Sequence, residues 1–128
     1  MLTAEQLAER ARREAEAGAY VVSGATSVGA GGELSPSDQA AAAVRGDVRI
    51  VVVLHGITAP DGGRIVPECS AAIPGVRAQR ILCELGVIDV TADGLIVREV
   101  APGVSAADLQ RTTDVVLLAG PDLRPVDP

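Results

Sequence analysis

Phenylalanine and tryptophan are absent from this sequence, and tyrosine occurs once, at Tyr20. Without aromatic platforms the chain cannot hold a single nucleic-acid strand by base stacking or sandwich a purine between rings. Positive charge is also short: 11 Lys and Arg stand against 17 Asp and Glu, for a net charge of −6. A nucleic-acid partner wants a basic face, so that class of function is excluded. Cysteine occurs only at Cys69 and Cys83, too few for a metal-ligand set or a disulfide framework, and both read as small buried hydrophobes. No apolar run nears the roughly 20 residues of a membrane-spanning helix, so no membrane partner is expected. The opening Met1-Leu2-Thr3-Ala4-Glu5-Gln6 is polar and acidic, unlike a secretory signal, and the expected location is the cytoplasm.

What the chain does have is aliphatic. Its 128 residues are 48% hydrophobic, and Val, Ile, Leu and Ala must make the core, which suits buried sheet under helices. The length fits a single domain over 1–120, with 121–128 expected as a flexible Pro-rich tail. Thr3 and Gln6 form a capping box opening a helix over 3–17, stopped at Gly18. Ala19–Val22 reads as a strand, followed by a loop, Ser23–Gly32, with four glycines and three hydroxyl side chains. Ser35 and Pro36 open a second helix that runs to Arg45 and stops at Gly46. Ile50–Leu54 is continuously apolar, as a strand buried on both faces must be. Pro60-Asp61-Gly62-Gly63 predicts a turn into a strand at Arg64–Val66, and the spacing of Val76, Ile81, Leu82 and Leu85 predicts a helix over 75–85. Val87–Val90 and Leu95–Val100 flank Asp93-Gly94 and predict a hairpin. Ser105 with Asp108 predicts a capped helix, and Asp114–Leu118 a last strand. Helices alternating with buried strands, then a hairpin, predict a mixed-sheet α/β sandwich.

The run Val87–Leu109 and the two ends of the chain carry a resemblance. Residues 2–22 and the stretch from Arg49 onward, including Ile50–Leu54, Thr58-Ala59-Pro60-Asp61-Gly62 and Cys69, resemble the β subunit of 3-oxoacid coenzyme A transferases. The resemblance implies a reduced version of the coenzyme A transferase fold. It also implies a loss. The family carries a long central segment with a Ser-Glu-Asn-Gly motif, whose glutamate becomes the covalent coenzyme A carrier. Here Gly31–Asp47 bridges the corresponding positions, no Ser-Glu-Asn-Gly occurs, and the neighbours of Glu33 do not match the motif. The family's Asn-Leu-Gly-Ile-Gly has become Ser23-Gly24-Ala25-Thr26-Ser27, and its Met-Glu-His has become His55-Gly56-Ile57. Acyl exchange through a covalent glutamate is therefore not expected.

The candidate chemistry lies in what remains. His55, the single histidine, follows a buried strand at the end where open α/β sheets place ligand crevices, and histidine suits proton transfer near neutrality. Packing at a strand end, or plain exposure, is the plainer account of it. Asp61 is a general base by type and a turn former by context, and Glu68 is a base by type alone. Ser23, Thr26, Ser27 and Thr58 are candidate contacts to a substrate, with a connector loop as the plainer account of 23–32. Arg77 and Arg80 face an anion or, more simply, water. No metal site and no cofactor is expected. Two functions stand side by side. One is a small enzyme (lyase, isomerase, cyclase or hydrolase) acting on an acyl thioester or a carboxylic-acid or polyketide-like substrate, with His55 and Asp61 catalytic. The other is a noncatalytic binding or oligomerisation module. The expected partners are a second copy in a homodimer or an α-like subunit, together with a small acyl or carboxylate ligand.

Overall fold

Ile50–Leu54 (β3) is buried at all five positions, and the two directions in which its side chains point divide the molecule. Val52 and Leu54 enter one apolar cluster, and Val51 and Val53 enter another on the opposite face. The computed structural model describes residues 1–45, 48–59, 61–67 and 76–126. Before β3 come helix α1 (Ala4–Glu16), strand β1 (Tyr20–Ala25), strand β2 (Ser27–Gly29) and helix α2 (Pro36–Ala43). After it come β4 (Arg64–Val66), β5 (Arg80–Cys83), β6 (Gly86–Thr91), β7 (Gly94–Val100), helix α3 (Ala106–Gln110) and β8 (Leu117–Pro125). Six strands form one sheet in the order β1-β3-β5-β6-β7-β8, and β2 and β4 form a small second sheet. β1, β3 and β5 are mutually parallel, β5–β6–β7 is an antiparallel meander, and β8 returns parallel to β7. This is the mixed-sheet α/β architecture that the alternation of elements predicts.

The local signals explain the elements. Thr3 closes a capping box with Gln6, Ser105 closes one with Asp108, and Ser35 caps α2 with Pro at its first turn. Gly18 follows α1 at φ +102°, and Gly94 closes the hairpin at φ +124°, both conformations a side chain would strain. One face of the sheet is covered by Leu34, α2 through Ala42, the small sheet through Val28 and Ile65, and α3 through Leu109. The other face is covered by α1, with Leu7 against Val51, Val53, Leu82 and Val87.

Three expectations are corrected. Residues 80–83 are strand β5, not helix: Ile81 lies opposite Val52 and Ile88 while Leu82 packs to the other face. A short run buried on both faces has no periodicity that separates it from helix. The loop expected over 23–32 is largely strand, because β1 continues to Ala25 and Ser27–Gly29 pairs with Arg64–Val66. The expected loose tail is held through Val126, since Arg124 and Pro125 sit opposite Glu99 and Val100 and Val126 is buried. Cys83 is buried, and burial pushes its thiol up to about 11, so it behaves as a small hydrophobe. Gly46, Asp47, Pro60, Glu68, Cys69, Gly75 and the last two residues of the tail lie outside the described residues. Among the described residues no helix is long and apolar enough to cross a membrane.

Candidate active site

Strand parity builds the site. Val21 and Val53 point to the α1 face, and side chains two positions further along a strand share that direction. Ser23 and His55 therefore emerge on the same face, at the carboxyl ends of the parallel pair β1 and β3. They meet the flank of α1 at Ala8, Ala11 and Ala15, together with Arg12, and these residues enclose a groove of about 350 Å³. The groove exists because the helix presents alanines there; longer side chains would close it. Its walls are mostly apolar, with an imidazole, a hydroxyl and a guanidinium as its polar groups. His55 and Ser23 are both exposed, and the His55 side chain makes no hydrogen bond to another described residue. Arg12 is paired with Glu9 and Glu16 on the outside of α1.

The described residues after His55 are held by contacts that can be named. Gly56 adopts φ +68°, and a Cβ at Gly62 would collide with the Gly56 carbonyl oxygen. Gly62 must therefore be glycine. The Gly63 amide donates to the His55 carbonyl at 2.8 Å. Nη1 of Arg64 donates to the carbonyls of Ile57 (2.7 Å) and Gly63 (2.8 Å), and Nη2 donates to that of Ala59. From the β5–β6 turn, Oε1 of Glu84 accepts from the Gly56 amide at 2.5 Å and Oε2 from the Ile57 amide at 3.0 Å. Arg64 and Glu84 anchor this loop, and the sequence reading singled out neither. Glu84 was hidden inside a stretch with helical spacing, and nothing local marks Arg64 as a loop anchor.

The remaining candidates stand apart from the groove. Asp61 is exposed in the 56–63 loop, and Thr26 is exposed with its carbonyl accepting from the Arg64 amide at 3.1 Å. Ser27 lies in β2 opposite Arg64. Thr58 lines a different cleft of about 390 Å³, with Ile57, Arg64, Leu85, Asp108, Arg111 and Thr112. Arg77 and Arg80 do not share a helix face: Arg77 is half exposed beside Glu33, and Arg80 is drawn into the sheet. Of these candidates, the structure brings His55 and Ser23 together. Among the described residues, no group of three His, Cys, Asp or Glu side chains is placed to hold a metal ion.

Alongside the groove, α1 is tied to the sheet by ion pairs. Arg10 grips Glu99 with two hydrogen bonds of 2.7 and 2.8 Å, and Glu99 is only 2% exposed. Glu14 accepts from Arg80 (2.7 Å) and Arg49 (3.2 Å). Arg80 also binds Asp89 at 2.7 Å, and Arg98 completes that pair at 3.1 Å. Burial alone pushes these carboxyls up, but the guanidinium hydrogen bonds and charges together outweigh it. Glu14, Asp89 and Glu99 are all held below the usual carboxylate range.

Comparison with known proteins agrees with this architecture. No protein-family model matches the chain. Two 3-oxoadipate CoA-transferase B subunits from Pseudomonas putida are 30% identical to it over 71 residues, which cover 55% of this chain and 33% of theirs. Over this match the chain spans about a third of the length of those relatives. Among solved structures, the decarboxylase AibA/AibB superposes on 98% of this chain and 57% of its own, with a TM-score of 0.63 and 23% identity. A variant of that decarboxylase gives a TM-score of 0.64 and 24% identity over the same shares. The chain therefore has a coenzyme A transferase-like α/β fold, and its sequence is similar to the B subunit of a 3-oxoadipate CoA-transferase over about half its length.

Proposed function

We propose that this chain is a coenzyme A transferase-like protein working as a small acid–base enzyme on an acyl thioester or a related carboxylic acid. It does so without a covalent glutamate. The observation that carries this reading is the shared groove of His55 and Ser23 against the alanine flank of α1. An apolar trough with a few polar groups fits a short acyl chain, its thioester or carboxylate facing Ser23 and His55. His55 has no orienting carboxylate among the described residues, which argues against an activated serine nucleophile and so against the hydrolase choice. A single proton transfer asks less. In a lyase step the carbon–carbon bond to a carboxylate breaks, CO2 leaves, and the electron pair passes into a thioester enolate. The His55 imidazolium then gives that enolate its proton. An isomerase step uses the same group to remove a proton and return it. AibA/AibB, which shares the fold, is a decarboxylase. Asp61, Thr26, Ser27 and Thr58 take no part in this reading.

The alternative is a noncatalytic module that associates with a second copy or an α-like subunit. It draws on the exposed apolar residues Val116, Leu118 and Leu123, which gather on and beside the edge strand β8. One assay separates the two readings. Wild type and His55→Ala are incubated with a panel of coenzyme A thioesters and small carboxylic acids, alone and with an α-like subunit. The enzyme reading expects turnover that falls roughly 100-fold or more in the variant, the usual weight of a general acid or base. Equal turnover in both, or none in either, contradicts it and leaves the module.

A further inference from the structure

We propose that Glu84 is the positioning residue for His55, a clasp that holds both walls of the groove at once; this rests on reading that groove as the site. One wall is the end of β3 with the loop that follows it. Gly56 at φ +68° turns its own amide and that of Ile57 toward one point, and the two carboxylate oxygens of Glu84 occupy it at 2.5 and 3.0 Å. Successive amides converging in this way make an anion-binding concavity, here filled by the protein's own carboxylate through two charge-assisted bonds. The other wall is α1. The Glu84 carbonyl accepts from the amide of Leu2 at 2.7 Å, and Leu2 is buried just ahead of the α1 cap.

His55 is thus fixed from both sides in sequence. Before it, β3 is buried and paired with β1 and β5; after it, the next two amides end on Glu84 and its own carbonyl is held by Gly63. An exposed imidazole with no side-chain hydrogen bond among the described residues depends on its backbone for direction. A reacting group displaced by about 1 Å can lose up to 100-fold in rate. Glutamine at position 84 keeps one acceptor and loses the second, aspartate falls short of reaching both amides, and alanine leaves the concavity empty.

The test compares wild type, Glu84→Ala and the isosteric Glu84→Gln, which serves if the alanine variant fails to fold. Amide exchange at Gly56 and Ile57 and the His55 ring resonances are followed by NMR, with turnover measured on the thioester panel. The expected result is amide protection lowered roughly tenfold in Glu84→Ala, the weight of a lost charge-assisted bond, and less in Glu84→Gln. Protection at Val52 and Val53 stays as in wild type, the His55 ring signals move, and kcat falls about tenfold with KM within about threefold. Unchanged ring signals and protection overturn the proposal whatever the turnover. Moved ring signals with wild-type kcat also overturn it, because the clasp would then order His55 without serving the chemistry. Full turnover in His55→Ala is a different failure: it removes the groove reading, while exchange and ring signals still judge whether Glu84 directs His55.

Discussion

On one face of the sheet, Ile50, Val52, Leu54, Ile81 and Ile88 meet aliphatic side chains from the small sheet, α2 and α3. On the other, α1 meets the sheet through Leu7, through carboxylates gripped by arginines, and across an alanine-lined groove. The first face is held mainly by burial, which is strong and indifferent to direction. The second is held in part by ion pairs, which specify a position for α1 and stabilise little beyond that. The apolar face holds the fold together, while the α1 face places a helix at a set distance from His55 and leaves room between.

The largest expected effect breaks the apolar face. Ile81→Ala removes a fully buried side chain at the centre of the sheet and should cost about 3 kcal/mol in denaturant unfolding. Next, Glu99→Ala removes the carboxylate that accepts both Arg10 hydrogen bonds and should cost about 2 kcal/mol. The double change Arg10→Met with Glu99→Leu should recover most of that, because apolar replacement of a buried pair is close to neutral. Failure of the double variant to recover would show that the ion pairs stabilise the fold as burial does, and the contrast between the faces would be lost.

Acid sharpens the comparison further. Glu14, Asp89 and Glu99 have folded pKa values below their ordinary 4.5, 3.8 and 4.5. The stability they contribute is complete above those ordinary values and is lost as pH falls through the depressed folded ones. The melting temperature should hold level from neutrality down to the ordinary carboxylate range and then fall. In a Glu99→Gln variant the fall should be shallower. The smallest expected effect on stability is Ala11→Leu, within about 0.5 kcal/mol since it lies on a partly open helix flank. The same change fills the groove and should abolish ligand binding there, measured by calorimetry.

Much of the fold was legible because its signals are local. The caps at Thr3, Ser35 and Ser105, the Asp93-Gly94 hairpin and the continuous run of β3 each lie within a few residues of what they determine. The strand end before His55 was legible as a place for a site, but its meeting with Ser23 was not, because Ser23 read as loop whereas it lies within β1. β5 was not legible, because Ile81, Leu82 and Cys83 are buried on both faces and alternate with nothing polar. The last strand was read too short because Pro121 and Pro125 suggest a loose end, whereas parallel pairing with β7 is invisible in sequence. The ion pairs were beyond reach for the same reason: Arg10 and Glu99 are 89 residues apart, and Glu14 and Arg80 are 66 apart.

The most direct test of the groove is chemical-shift mapping by NMR as a short-chain coenzyme A thioester and its free acid are titrated into the protein. The account predicts saturable shifts at Ser23, His55, Ala8, Ala11 and Ala15, lost in Ala11→Leu. Shifts confined to the cleft of Thr58, Arg64 and Arg111, or no shifts at all, would contradict it.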